Sequence, residues 1–462
     1  MNLLIIGNGL DLDLGLPTKY TDFLDFVNAF TFSVGSDVEK INEIDEFNKN
    51  AYTYRAIFER YKNFHPNNLN DEHKKLKNTL ENFDEIFSHK SINKACKDFF
   101  HCVHNNCWIE YFNERYEHYE QNLIVGKNWI DLEGEIQRVI DIFETKGFFE
   151  IVDDKHHKNI NPTSNFIADS LKIQKLIDEF YSSKTTLFTA DYKKFKENLL
   201  QDFEKFIMAL GIYLDFFVGQ IQPNVKKASK ELQKLLTAEP IDRVLSFNYI
   251  NNFRKETLSP DNVCFIHGAV HYLQDLQENF TENLESEDKD FLNIEKIIHR
   301  NKMIIGFDSL QNSDEFSAED FELEFVDYRK YFQRIYKGTD STYVDWLNGY
   351  QARLRKYVRT TTNTENWENL YQQRLQAELS CSIPNNVFIF GHSLDATDNE
   401  ILKDIFLREY DDTKIIIYYH DPDARKRIIT NLIKILGKPT LVEKTKGKNP
   451  TITFVAQSYA DL

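Results

Sequence analysis

Seven short apolar runs, each near-continuous rather than alternating, constrain the fold of this chain most: Leu3–Ile6, Arg243–Phe247, Val263–Ile266, Met303–Ile305, Val387–Phe390, Lys414–Tyr419 and Thr451–Val455. Continuous β-branched and apolar runs of this length are what strands buried on both faces look like, and such strands are usually parallel. Parallel strands need crossover connections, so helices are expected between them. Helix signals follow. Thr397-Asp398-Asn399-Glu400 reads as a capping box ahead of Ile401, Leu402 and Ile405. Asp421-Pro422 reads as an N-cap with proline at the first helical position, and that helix runs through Ile428, Leu432 and Ile435 to Gly437, with Pro439 beyond. The expected class is α/β, with a parallel sheet core.

The ends of these runs carry the unusual residues. Glycine is scarce, 16 in 462 residues, yet Gly7, Gly9, Gly15, Gly268, Gly306 and Gly391 fall at or just beyond strand-like runs. Glycine there signals close backbone approach, to a ligand or to another turn, or a positive φ. The first run ends in Gly7-Asn8-Gly9, and a helix is expected to begin behind Pro17-Thr18. Strand, tight turn and helix N-terminus form an arrangement that can hold a phosphate, though it also serves as an ordinary connection. Leu12 stands where the dinucleotide fingerprint needs its third glycine, which argues against a hydride-transfer dehydrogenase.

Residues 36–235 and 311–384 differ in character, being rich in Lys, Glu, Asn, Phe and Tyr without comparable strand-like runs. Helical periodicity shows at Phe203, Phe206, Ile207, Leu210 and Leu214. The expected organisation is a discontinuous nucleotide-binding core of residues 1–35, 236–310 and 385–462, with helical insertions at 36–235 and 311–384. The formal charge of −17 opposes general nucleic-acid binding, which needs clustered Lys and Arg. No apolar run reaches membrane-spanning length, and the N-terminus lacks the basic leader of a signal peptide, so a cytoplasmic protein is expected. Cys96, Cys102 and Cys107, with His101 and His104 between them, lack zinc-knuckle spacing and read as helix residues in a reducing compartment. No metal is expected.

Four motifs close different strand-like runs: Gly7-Asn8-Gly9-Leu10-Asp11, Ser246-Phe247-Asn248-Tyr249, Ile266-His267-Gly268, and Phe390-Gly391-His392-Ser393-Leu394-Asp395. In an open parallel sheet, residues beyond the carboxyl ends of the strands converge on one crevice. With Gly15-Leu16-Pro17-Thr18 and Tyr20, Trp129-x-Asp131-Leu132-Glu133, Tyr331-Phe332-Gln333-Arg334-Ile335 and Asp398, these stretches resemble the AbiH-type phage abortive-infection proteins along nearly the whole chain. Their order is also similar to a distant sirtuin NAD-binding core, giving an expected Rossmann-like (sirtuin-like) sheet.

The resemblance implies NAD as substrate and an N-glycosidic hydrolase acting in phage defence. Gly7, Asn8, Gly9, Asp11, Thr18, Ser393 and Asp395 would bind the nucleotide. The glycines would admit its diphosphate, Ser393 would contact a phosphate or ribose, and Asp395 ribose hydroxyls. Asn248 would hold the nicotinamide ribose and the attacking water, and His267 would accept a proton. Such a reaction has an oxocarbenium-like transition state, so fixed geometry and charge stabilisation matter more than a strong nucleophile. The four-cysteine zinc module of sirtuins is missing, against protein deacylation, and Phe247-Asn248-Tyr249-Ile250 lacks the sirtuin Gln and Asp.

Plainer roles stand beside these. His267 could bond a loop carbonyl, Asn248 could cap a turn, Asp395 and Asp398 could serve a helix N-terminus, and His392 reads as structural. Two other functions remain open: a non-catalytic nucleotide-sensing or protein-interaction module, and a metal-dependent nuclease using Asp11, Asp131, Glu133 and Asp395. A phage-derived activator, a companion protein or a homo-oligomer would fit the restraint that a toxic hydrolase requires, with 36–235 the candidate restraining segment.

Overall fold

A computed structural model describes residues 2–35, 89–121, 132–153, 189–253, 258–276, 294–307, 323–339, 342–344, 346, 386–395, 398–406, 413–447 and 449–459. Trp129, Asp131, the His156-His157 pair, Cys381 and Thr397 lie outside these residues. The chain forms two compact units, one of Met1–Leu16, Gln222–Ala269 and Gly338–Leu462, the other of Pro17–Ile221 and Val270–Lys337.

The first unit is an α/β unit built on a six-stranded, all-parallel sheet. Its strands are β1 (Asn2–Ile6), β2 (Arg243–Ser246), β3 (Val263–Phe265), β4 (Asn386–Phe390), β5 (Lys414–Tyr419) and β6 (Ile452–Ala456). Their spatial order is β3-β2-β1-β4-β5-β6. Six of the seven apolar runs therefore pair as expected. One face of the sheet (Leu3, Ile5, Leu245, Cys264, Val387, Ile389, Ile415, Ile417) packs with Ile401, Leu402 and Ile405 of the helix Asn399–Phe406 and with Ile428, Leu432 and Ile435 of the helix Pro422–Leu436. Leu4, Ile6, Val244 and Phe388, pointing the other way, are buried too, which is why the strands read as continuous rather than alternating.

The helix Pro422–Leu436 has the caps its sequence announces. Asp421 Oδ1 accepts a hydrogen bond from the Ala424 N–H at 2.6 Å, and Gly437 closes the helix at φ 78°. Pro439 then falls in the first turn of a further helix, Lys438–Thr445.

The second unit, among its described residues, is helical. The helices Tyr20–Gly35, His89–Val103, Cys107–Gln121, Leu132–Asp153 and Thr189–Ile212 carry an aromatic core in which Phe23, Phe26, Phe99, Phe206, Tyr213 and Phe217 meet ring to ring. The periodic residues Phe203 to Leu210 lie on the last of these helices, which runs into a π turn at Tyr213–Phe217 holding Leu214. Ion pairs lie in this interior. Glu135 accepts from Arg115 Nε and Nη2 at 3.0 Å each and from the Tyr111 hydroxyl at 2.9 Å. Lys330 Nζ lies 2.8 Å from Glu133 Oε2. Cys96, Cys102 and Cys107 are buried free thiols, and burial pushes the Cys96 thiol up to about 12.

Met303–Ile305 departs from the strand expected there. Its residues are fully buried, but the structure assigns them no strand. A side chain supplies the pairing instead: Gln333 Nε2 donates to the Ile305 carbonyl at 2.6 Å, and the Ile305 N–H donates to Gln333 Oε1 at 3.3 Å. A buried apolar run needs its backbone satisfied, and a carboxamide presents the same donor and acceptor as a neighbouring strand.

Candidate functional site

Strand order places the switch point between β1 and β4, where the sheet grows to opposite sides, and the motif residues of the first unit surround the carboxyl ends of β1, β2, β3 and β4. The turns after β1 and β4 interlock. Gly7 N–H donates to the Phe390 carbonyl at 3.2 Å and Gly9 N–H to the Gly391 carbonyl at 2.8 Å. A Cβ on Gly9 would come within 2.6 Å of Gly391 Cα, and one on Gly7 within 2.9 Å of His392 Cα. Gly391 itself sits at φ +68°, with a Cβ position 2.2 Å from Leu10 N. Contact between these two turns is thus enough to require the glycines.

A short helix, Gly9–Asp13, starts directly from this turn, ahead of the helix expected behind Thr18. It carries Asp11 into the interior, 2 % exposed. Two carboxamides hold that carboxyl group: Asn252 Nδ2 donates to Oδ1 at 2.9 Å, and Asn248 Nδ2 donates to Oδ2 at 3.1 Å. The second Asn248 proton faces the Gly7 carbonyl at 3.3 Å, so Asn248 Oδ1 points the opposite way, as an acceptor. Ser246 sets this pose, its Oγ accepting from the Asn248 N–H at 3.2 Å in a tight local turn. Burial raises the Asp11 carboxyl to about 7, the Asn252 hydrogen bond opposing it. Near neutral pH this group exchanges a proton.

His267 follows β3, placed by a turn in which Gly268, at φ 73°, donates its N–H to the Phe265 carbonyl at 3.1 Å. Its Nε2 lies 3.2 Å from Asp398 Oδ1. His392 Nε2 lies 3.5 Å from the other oxygen, Oδ2, so one carboxylate spans two imidazoles. The Phe247 ring packs on both, 4.1 Å from His392 and 5.4 Å from His267 between centroids. All three polar side chains are buried.

Residues 3–419 match the family model for bacteriophage abortive infection AbiH. The chain belongs to the AbiH family. The resemblance read from its motifs holds over nearly the whole length, and membership suggests a role in abortive infection by phage. No curated protein and no solved structure matches the chain.

In this AbiH protein the candidate residues divide. Gly7, Gly9, Asp11, Asn248 and His267 are gathered around the ends of β1 to β3, while Asn8, Ser393 and Asp395 face solvent beside them. Thr18 belongs to the second unit, where it is buried in the connection leading to the helix Tyr20–Gly35. Asn252, His392 and Asp398 also belong to this cluster, though sequence reading passed over them or gave them plainer roles. Of the carboxylates considered for a metal-dependent nuclease, Glu133 is in the second unit, bonded to Lys330, and Asp131 lies outside the described residues. Among the described residues, no three His, Cys, Asp or Glu side chains cluster as metal ligands. Also among those residues, no helix is long and apolar enough to cross a membrane.

Proposed function

We propose that this AbiH protein acts in phage abortive infection by hydrolysing NAD to nicotinamide and ADP-ribose. The observation that carries the reading is the buried Asp11 carboxyl, raised to about 7 and gripped by Asn248 and Asn252 at the mouth of a parallel sheet. Perturbed carboxyls held by defined partners are concentrated at sites of chemistry. The strand order 3-2-1-4-5-6 is that of doubly wound dinucleotide-binding sheets and supports a Rossmann-like, sirtuin-like core.

In this reading the nicotinamide ribose lies over Asn248, whose Oδ1 accepts from a ribose hydroxyl. A water attacks the anomeric carbon as the C1′–N bond breaks, and the bonding pair passes to the nicotinamide nitrogen, cancelling its positive charge. The water gives its proton to His267 or to ionised Asp11. A carboxylate beneath the ribose also favours the developing oxocarbenium charge. Asn8, Ser393 and Asp395, being solvent-facing, make the outer contacts to ribose and phosphate. Asn248 and His267 are buried, so substrate entry requires the crevice to open. Burial of these groups suits a hydrolase that must stay restrained until infection, by a phage-derived activator, a companion protein or self-association.

Incubating the purified protein with NAD and measuring free nicotinamide tests the reading. Release lost on Asn248→Ala and His267→Ala supports it. NAD binding without release, with phage lysate added as a source of activator, would instead indicate a nucleotide sensor. Metal-dependent loss of DNA or RNA with NAD intact would indicate a nuclease.

A further inference from the structure

We propose that Asn252 is a positioning residue of this site, its amide favouring the ionised form of the Asp11 carboxyl, the form that takes a proton from the attacking water. The proposal deepens the hydrolase reading and rests on it for the link to catalysis. What Asn252 does to Asp11 needs no substrate.

Asn252 lies beyond β2, in a segment that is neither helix nor strand. Apolar neighbours pin it there. Ile250 and Phe253 are both buried, Phe253 almost completely. Between them the half-buried Asn252 side chain reaches the short helix Gly9–Asp13 and donates to Asp11 Oδ1 at 2.9 Å. Burial of the flanking side chains thus holds a polar group in place where no strand ladder does.

The two amides on Asp11 are not equivalent. Asn248 divides its protons between Asp11 Oδ2 at 3.1 Å and the Gly7 carbonyl at 3.3 Å. That carbonyl can only accept, which fixes the way the Asn248 amide faces. Asn252 makes the shorter bond to Asp11. Together the amides place one donor on each carboxyl oxygen. A carboxylate accepts well on both oxygens, whereas the neutral acid carries its proton on one of them and accepts poorly there. The amides therefore oppose the burial that favours the neutral acid.

Ionisable groups on the surrounding elements are Asp13 on the same helix, Tyr249 beyond β2, His267 beyond β3, and His392, Asp395 and Asp398 beyond β4. The Asp11 side chain is hydrogen-bonded instead to the two neutral amides. Burial and the Asn252 hydrogen bond, rather than a neighbouring charge, shift its proton affinity. Asn252 is thus the group whose loss Asp11 should register most.

The test follows the Asp11 carboxyl across pH by NMR of the full-length protein labelled with 13C-aspartate, without ligand. Asp11→Asn assigns the signal. Asn252→Leu keeps the approximate volume and removes the donor. It should raise the proton affinity of Asp11 by about tenfold or more, as expected for a hydrogen bond to a charged group, so that ionisation moves to higher pH. Should Asn252→Leu not fold, Asn252→Asp keeps the shape, replaces the donor by a second carboxyl and should move ionisation further the same way. An Asp11 that titrates as in the parent in the variant that folds would overturn the proposal. With NAD as substrate, the rising limb of the kcat profile should shift to higher pH together with the carboxyl, while KM changes little. A limb that stays in place while the carboxyl moves would overturn the link to turnover. Should none of these proteins, the parent included, release nicotinamide, the hydrolase reading fails, and the titration alone decides whether Asn252 governs Asp11.

Discussion

Asn248 Nδ2 and Asp11 Oδ2, 237 residues apart in the chain, meet at 3.1 Å beneath the turn that ends β1. The contact ties the end of β2 to the short helix following β1, and in the proposed reading the Asn248 carbonyl oxygen is the group that meets the ribose. Asn248→Ala should strip a donor from both Asp11 and the Gly7 carbonyl. Leaving buried acceptors unpaired costs about 1–3 kcal/mol, and NAD turnover should fall on the order of a hundredfold. Urea melts together with nicotinamide release measure the two effects. A variant as stable and as active as the parent would contradict both.

Asp11 gives the protein a pH-dependent stability of definite sign. Its carboxyl is raised from 3.8 to about 7, so between those values the folded state holds a proton that the unfolded chain has released. This contribution is fully present below the unfolded value, declines as pH rises toward 7, and is lost above it. Asp11→Asn cannot ionise. It should therefore gain on the parent in going from pH 5 to pH 8, whatever its absolute stability, while abolishing turnover. Parallel urea midpoints for the two proteins across that range would refute the burial argument.

Gly391 and Gly447 both have positive φ, but only one is crowded. Gly391→Ala would put Cβ 2.2 Å from Leu10 N, whereas nothing lies within 4 Å of a Cβ on Gly447 at φ +102°. Gly447→Ala should show backbone strain alone, about 1–2 kcal/mol. Gly391→Ala adds a backbone collision and should cost more than about 3 kcal/mol or prevent folding. Thermal melts of the pair settle the comparison; equal losses would show that crowding at the β1–β4 turns is relieved by adjustment.

Gln333→Leu should be markedly destabilising although it places an apolar residue in a buried position. The carboxamide serves the Ile305 N–H and carbonyl and also donates to the Asp327 carbonyl at 2.9 Å. Loss of that set should cost about 2–4 kcal/mol, whereas Gln333→Glu, which keeps the acceptor, should cost less at low pH than at high pH. Hydrogen exchange at Ile305 would report the freed amide directly.

The sheet was legible because its strands are buried on both faces, and a run such as Leu3–Ile6 has no amphipathic alternative. Met303–Ile305 looks identical by composition. What separates it is Gln333, a contact that no local pattern encodes. The helix Pro422–Leu436 was legible to its ends because Asp421, Pro422 and Gly437 each act on the backbone beside them. Gly9–Asp13 was not, since a five-residue helix that starts on Gly9 between Gly7 and Gly15 has weak intrinsic support and is held by the β4 turn. At the candidate site, Asn248 and His267 stood out because each ends an apolar run next to a turn. The link from His267 through Asp398 to His392 is tertiary. Asp398 reads as an ordinary helix-start acid and His392 as a strand-end residue, and only the fold brings them within 3.5 Å of each other.

The interlocking of Gly7 and Gly9 with Gly391 means that the loops after β1 and β4 fill a single shared volume. Neither can be redesigned, lengthened or grafted from another protein without its counterpart. Recombining family members would succeed when both segments come from the same parent, and a hybrid that mixes them would be expected to lose the alignment of Asp11, His392 and Asp398 together.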